Sequence, residues 1–153
     1  MFRRLSVVLA AVCLVLVGGP ASGVTVTETN TEKNLVENFV DVVPTCEGGG
    51  PLYDITTTSN LVEHATIKDD GTEHFTFTQT GKFVAVPLEA GLPTYTGRFT
   101  VWGGFNLNNN TVNGTFTFSV TGKGSDGSRL RNTSVDHFNE RPDGTVNAFF
   151  HCR

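Results

Sequence analysis

Four histidines, His64, His74, His137 and His151, and among the 15 acids Asp126 and Asp136, are the side chains of this sequence with the most to offer proton transfer or ligation. The histidines are scattered. No His-x-His pair and no His-Glu-x-x-His segment occurs, so a zinc site would have to be assembled wholly by the fold, and no metal or other cofactor is expected. His64 stands out because Glu63 and Ala65 flank it in an extended run, where an inward ring could hydrogen-bond a ligand or pair with a carboxylate. A structural histidine is the commoner outcome. Asp136 falls on one face with Leu130, Ser134 and Phe138, and an ion pair with Arg98 or Arg131 is preferred for it over acid or base work. Serine hydrolysis lacks its Gly-x-Ser-x-Gly elbow. Gly122-Lys123-Gly124-Ser125 lacks the rest of a phosphate loop, and Asp69-Asp70-Gly71-Thr72-Glu73 lacks the alternating ligands of a calcium loop.

The aromatic inventory is the stronger positional signal, with 12 Phe, 1 Trp and 2 Tyr. Phe75, Phe77, Phe83, Phe99, Phe116 and Phe118 are expected to line an interior, with Tyr95 and Trp102 placed where their polar atoms need partners. A hydrophobic core accounts for such rings. A ligand site needs, in addition, a concave vacancy among them. The residues assigned to such a site are His64, Phe75, Phe77, Tyr95, Phe99, Trp102, Phe116, Phe118 and Asp136, with an opening near His64 or Trp102.

The chain opens on Arg3 and Arg4, an apolar run from Leu5 to Val17, and the small residues Pro20-Ala21-Ser22-Gly23. This is the order of a secretory signal peptide over 1–23, too short for a convincing membrane span, which leaves a single domain over 24–153 in an extracellular setting. Cys13 lies inside the apolar run and departs with it. Cys46 and Cys152 then remain as a pair in an oxidising compartment, and a disulfide between them is expected. Loss of Arg3 and Arg4 leaves 9 of the 11 Lys and Arg against 15 Asp and Glu, taking the formal charge from -4 to -6. An acidic chain with no basic run has no handle on phosphate backbones or anionic lipid, so neither nucleic acid nor stable membrane insertion is expected.

The elements that must position these residues read as strands. Phe75 and Phe77 alternate with His74, Thr76 and Thr78, and Phe116, Phe118 and Val120 alternate with Thr115, Thr117 and Ser119. Extended runs are placed at 24–28, 35–43, 52–58, 61–68, 73–79, 82–87, 95–107, 112–122, 129–139 and 145–151, several of which merge into eight or nine strands. Residues 35–43 also carry helical spacing at Leu35, Phe39 and Val42, but Val36, Val40, Val42 and Val43 favour strand. Asp69-Asp70-Gly71 and Pro142-Asp143-Gly144 predict tight hairpins, residues 122–128 a longer loop of the same character, and 47–51 a flexible loop beside Cys46. Short linkers and a tie from an early loop to the last strand predict a small antiparallel β-barrel closed by one disulfide. A β-sandwich is the alternative.

Cys46 with its following glycines, His64, Tyr95-Thr96-Gly97-Arg98-Phe99, the Gly124 to Ser128 loop and Pro142-Asp143-Gly144-Thr145-Val146 before Cys152 together resemble a group of secreted actinobacterial single-domain β-barrel proteins, a group that carries no assigned activity. A looser similarity to allene oxide cyclase and dirigent barrels lies in size, Phe/Thr-rich strands and glycine hairpins. The exported, disulfide-tied and aromatic-rich chain carries the functional expectation of a secreted binding or interaction module for a small apolar molecule or an extracellular partner; an enclosing enzyme, which the cyclase and dirigent similarity implies, and a purely structural surface protein are the alternatives.

Overall fold

The computed structural model describes residues 25–43, 46, 49–108 and 110–153. The segment 1–23, expected from its sequence to be a signal peptide, lies outside these residues. The described residues form seven antiparallel strands: β1 (Val26–Val42), β2 (Leu52–Ile67), β3 (Glu73–Pro87), β4 (Tyr95–Asn108), β5 (Thr111–Gly124), β6 (Arg129–Glu140) and β7 (Val146–Cys152). They lie in a single sheet in the order of the chain, each strand paired with the next.

Three of the hairpins share one turn. Lys68 to Thr72, Gly124 to Ser128 and Arg141 to Thr145 each place Asp-Gly before Ser or Thr, with the glycine in the left-handed region at φ 80°, 88° and 79°. In each, the glycine amide donates to the first residue's carbonyl, and the first residue's amide donates to the carbonyl of the closing Ser or Thr. The aspartate Oδ1 accepts the closing residue's backbone N–H at 2.8, 2.9 and 2.9 Å. This is the three-residue hairpin built on a turn followed by a left-handed glycine. The expected longer loop at 122–128 is therefore the same tight turn, because β5 continues through Gly124.

Several expected strands merge. Residues 52–58 and 61–68 become β2, and 73–79 and 82–87 become β3, because Ser59 pairs with Gly81 and Asn60 with Thr80 without a break in register. Residues 35–43 are strand, joined to the preceding run across a bulge between Glu32 and Leu35 where Asn34 takes φ 57°.

The disulfide Cys46–Cys152 forms, with the Cα atoms 5.4 Å apart across a separation of 106 residues. It shows that the sheet is strongly curled. In a flat sheet the start of β2 and the end of β7 would be five strand spacings, about 24 Å, apart. The curl is permitted by glycines on the inner face. A Cβ on Gly122 would stand 2.9 Å from the Phe83 ring of β3, which reaches over β4 to lie there, and a Cβ on Gly114 would stand 2.6 Å from the Phe138 ring.

The barrel expectation is not met. The sheet is open: among the described residues no ladder joins β7 to β1. Short linkers are equally compatible with an open meander, and the disulfide runs from the β1–β2 loop to β7, so it draws the two ends together without making their backbones pair. The sandwich is excluded by the single sheet. Eight or nine strands are likewise corrected to seven.

Packing is concentrated at one end of the inner face. Tyr53 and Ile55 of β2, Phe83 and Ala85 of β3, Phe99 of β4, Val120 of β5 and Leu130 of β6 are buried together with Val43, and Tyr95, Val101 and Phe118 pack against them. Each large side chain buried here contributes about 1.5–3 kcal/mol. Towards the other end, no residue facing inward on β1 or β7 is fully buried.

Candidate functional site

Strand periodicity assigns every side chain to the inner or the outer face, and the cross-strand register aligns them into rows. One inner row runs Ala65, Phe75, Phe105, Gly114, Phe138, and the next runs Glu63, Phe77, Gly103, Phe116, Asp136, Phe150. Their rings meet. Phe75 stacks on Phe105 at 5.2 Å between centroids and lies 6.0 Å from Phe77; Phe77 lies 5.9 Å from Phe116, and Phe116 stacks on Phe138 at 5.9 Å. Gly103 and Gly114 alternate with the rings and leave them room to lean across the strand between. The result is a continuous aromatic wall from β3 to β6. None of its rings is fully buried, and Phe150 at its β7 end is 59% exposed.

Below this wall, towards the packed end, the inner face turns polar. Gln79 Nε2 donates to Glu37 Oε2 at 2.8 Å and to Ser59 Oγ at 2.9 Å. Ser59 and Thr57 are 3% and 5% exposed, and Thr57 Oγ1 is buried with no hydrogen-bond partner. A buried hydroxyl so placed costs roughly 1–3 kcal/mol. Glu37 stands directly opposite Thr57 in the register.

Charge is distributed unevenly between the faces, with Asp54 of β2 a carboxylate on the outer one. Glu28, Glu32, Glu37 and Asp41 of β1 face inward, as do Glu63 of β2, Glu73 of β3 and Asp136 and Glu140 of β6. Lys82, Arg98, Lys123, Arg129 and Arg131 all face outward on β3 to β6, where Lys82 pairs with Arg98 and Lys123 with Arg129. The sequence has no basic run, but the register gathers these cations into one exposed patch. Asp136 thus lies on the face opposite Arg98 and Arg131.

Of the residues assigned to a site, Phe75, Phe77, Tyr95, Phe99, Phe116, Phe118 and Asp136 share the inner face. Phe99 is buried in the core, and Phe118 lies 6.4 Å from it, so these two belong to the packing end. Tyr95 meets Tyr53 ring to ring at 5.9 Å, and burial pushes the Tyr53 hydroxyl above its ordinary value, with Tyr95 and Asp126 adding to the effect. His64 and Trp102 are on the outer face and are not brought to the other seven. His64 Nδ1 lies 2.6 Å from Thr29 Oγ1, and Trp102 is 50% exposed beside Thr78 and Thr117. Two other outer histidines are held in the same way, His74 against Asn106 at 2.5 Å and His137 against Thr115 at 2.8 Å. Among the described residues no group of three His, Cys, Asp or Glu is placed to hold a metal. No described helix is long and apolar enough to cross a membrane.

Phe105 and Phe138 were not assigned to the site, although both follow from period two, the first from Val101 and Gly103 and the second from Asp136. Glu37, Ser59, Gln79 and Glu63 carried no sequence signal, since only the register puts them beside the rings. No protein-family model, curated protein or solved structure matches this chain.

Proposed function

We propose that this chain is an exported binding module that takes up a small apolar molecule on the inner face of its open sheet. The observation that carries the reading is the wall formed by Phe75, Phe77, Phe105, Phe116 and Phe138, whose rings touch one another yet are only partly buried. A core residue would be closed over by a second layer, and here the sheet supplies none. Export is supported by the leading segment's sequence and by the disulfide, which persists in an oxidising compartment.

The test is titration with the neutral probe N-phenyl-1-naphthylamine, whose emission rises in an apolar site. Phe116 touches both Phe77 and Phe138, so Phe116→Ala should weaken probe binding by about tenfold, about 1.4 kcal/mol. Trp102→Ala, on the other face, should leave it unchanged. No probe binding, or binding abolished by the Trp102 substitution alone, refutes the reading.

A further inference from the structure

The acids of the inner face are arranged about its rings in a way that specifies the ligand's charge. We propose that the inner face binds organic cations, molecules with an alkyl or aromatic body and an ammonium or guanidinium head. The proposal rests on the inner face being a ligand surface and adds the chemical class.

Phe77 and Phe116 form the middle of one inner row, their centroids 5.9 Å apart across Gly103. The residue directly opposite Phe77 on its other side is Glu63, and directly opposite Phe116 is Asp136. Directly opposed side chains have Cβ atoms about 4.5–5.5 Å apart. A pair of rings is therefore bracketed by two carboxylates. The arrangement repeats at the open end, where Glu73 and Glu140 bracket Leu107 and Val112. Ring faces carry negative potential and attract cations, and a carboxylate beside the ring adds to that attraction. An anionic head would meet repulsion from both.

Among the described residues none of these four acids is ion-paired. Lys82, Arg98, Lys123, Arg129 and Arg131 are all on the outer face, and the polar contact at Glu63 is the Asn30 amide at 3.3 Å. Inward charges on an edge strand discourage association between sheets, which accounts for the acids of β1. It does not account for Glu63 and Glu73, which sit on the interior strands β2 and β3 and gain nothing by guarding an edge. Acids kept beside a half-buried aromatic wall with no counter-ion are instead what an incoming cation would complete.

The experiment compares three dodecyl probes below their micelle concentrations, dodecyltrimethylammonium, dodecyl maltoside and dodecyl sulfate, by displacement of N-phenyl-1-naphthylamine from the disulfide-bonded protein at low salt. The ammonium probe should bind about tenfold more tightly than the maltoside, with the sulfate weakest, and the advantage should shrink as salt is added. The Glu63→Gln/Asp136→Asn double variant should bring the ammonium probe within twofold of the maltoside and leave the maltoside unchanged. Asp54→Asn, which removes an outer-face carboxylate, should alter nothing. A sulfate probe that binds as well as the ammonium, or a preference that survives the double substitution, overturns the cation proposal while the apolar-ligand reading stands. Failure of the naphthylamine and of all three dodecyl probes to bind overturns both.

Discussion

Replacing both Cys46 and Cys152 with serine removes the one covalent tie between the first hairpin and the last strand, and its effect can be worked from the chain. The bond closes a loop of 106 residues. Loop-closure entropy for that length is worth about 4.8 kcal/mol at 25 °C, a large share of the roughly 5–15 kcal/mol that holds a domain of this size together. With a urea slope of about 1.5 kcal/mol/M, the unfolding midpoint should fall by about 3 M. The loss should also have a location. Among the described residues β7 pairs only with β6, and Phe149 and Phe150 on it are 56% and 59% exposed, so without the bond it is held by little more than its own ladder. Urea titrations followed by far-ultraviolet circular dichroism, with and without the substitutions, measure the midpoint; hydrogen exchange in the same samples measures where protection goes. Exchange should speed up first in Val146–Cys152. A midpoint within about 0.3 M of the parent, or lost stability with β7 protection intact, refutes the reasoning.

The curl makes a second prediction: Gly122→Ala places a methyl 2.9 Å from both the Phe83 ring and the Thr96 carbonyl, so it should cost about 1–3 kcal/mol in urea unfolding, and Gly127→Ala, in a turn with open space around it, should cost only backbone strain. A third concerns acid. Hydrogen bonds from the Ser128 side chain and backbone hold the Asp126 carboxyl below the usual range; Thr72 does the same for Asp70 through its side chain and backbone, and Thr145 for Asp143 through its backbone and side chain. Folded-state values below the unfolded one mean that the unfolded chain binds more protons there, so the contribution is present above about pH 4 and is lost as pH falls through the folded values. Urea midpoints between pH 5 and pH 3 should therefore decline, and the Asp70→Asn, Asp126→Asn and Asp143→Asn triple variant should decline less steeply.

Local chemistry was legible in the sequence wherever one short segment decides the structure. Asp-Gly before Thr makes its turn with its own aspartate, and alternation of Phe with Thr makes a two-faced strand, so the hairpins at Lys68–Thr72 and Arg141–Thr145 and the shared face of Phe75, Phe77, Phe116 and Phe118 could be read directly. The disulfide was legible for a different reason, the removal of every other partner. Merged strands were missed because Ser59-Asn60 and Thr80-Gly81 look like turns until they are seen paired with each other. His64 and Trp102 stand apart from the inward rings because each occupies the other parity of its strand, opposite Thr76 for His64 and Thr78 and Thr117 for Trp102.

What the amino-acid order determined alone, then, is an antiparallel β chain with Phe on one side, Thr on the other, glycine hairpins and a Cys46–Cys152 bond. Whether that chain closes was decided only in three dimensions, since closure depends on β1 and β7 presenting backbone to each other and a loop-borne cysteine does not enforce it. The same holds for the charges. Along the chain acids and bases are interspersed, and only the cross-strand register brings Glu63, Glu73, Asp136 and Glu140 to the aromatic side and Lys82, Arg98, Lys123, Arg129 and Arg131 to the other.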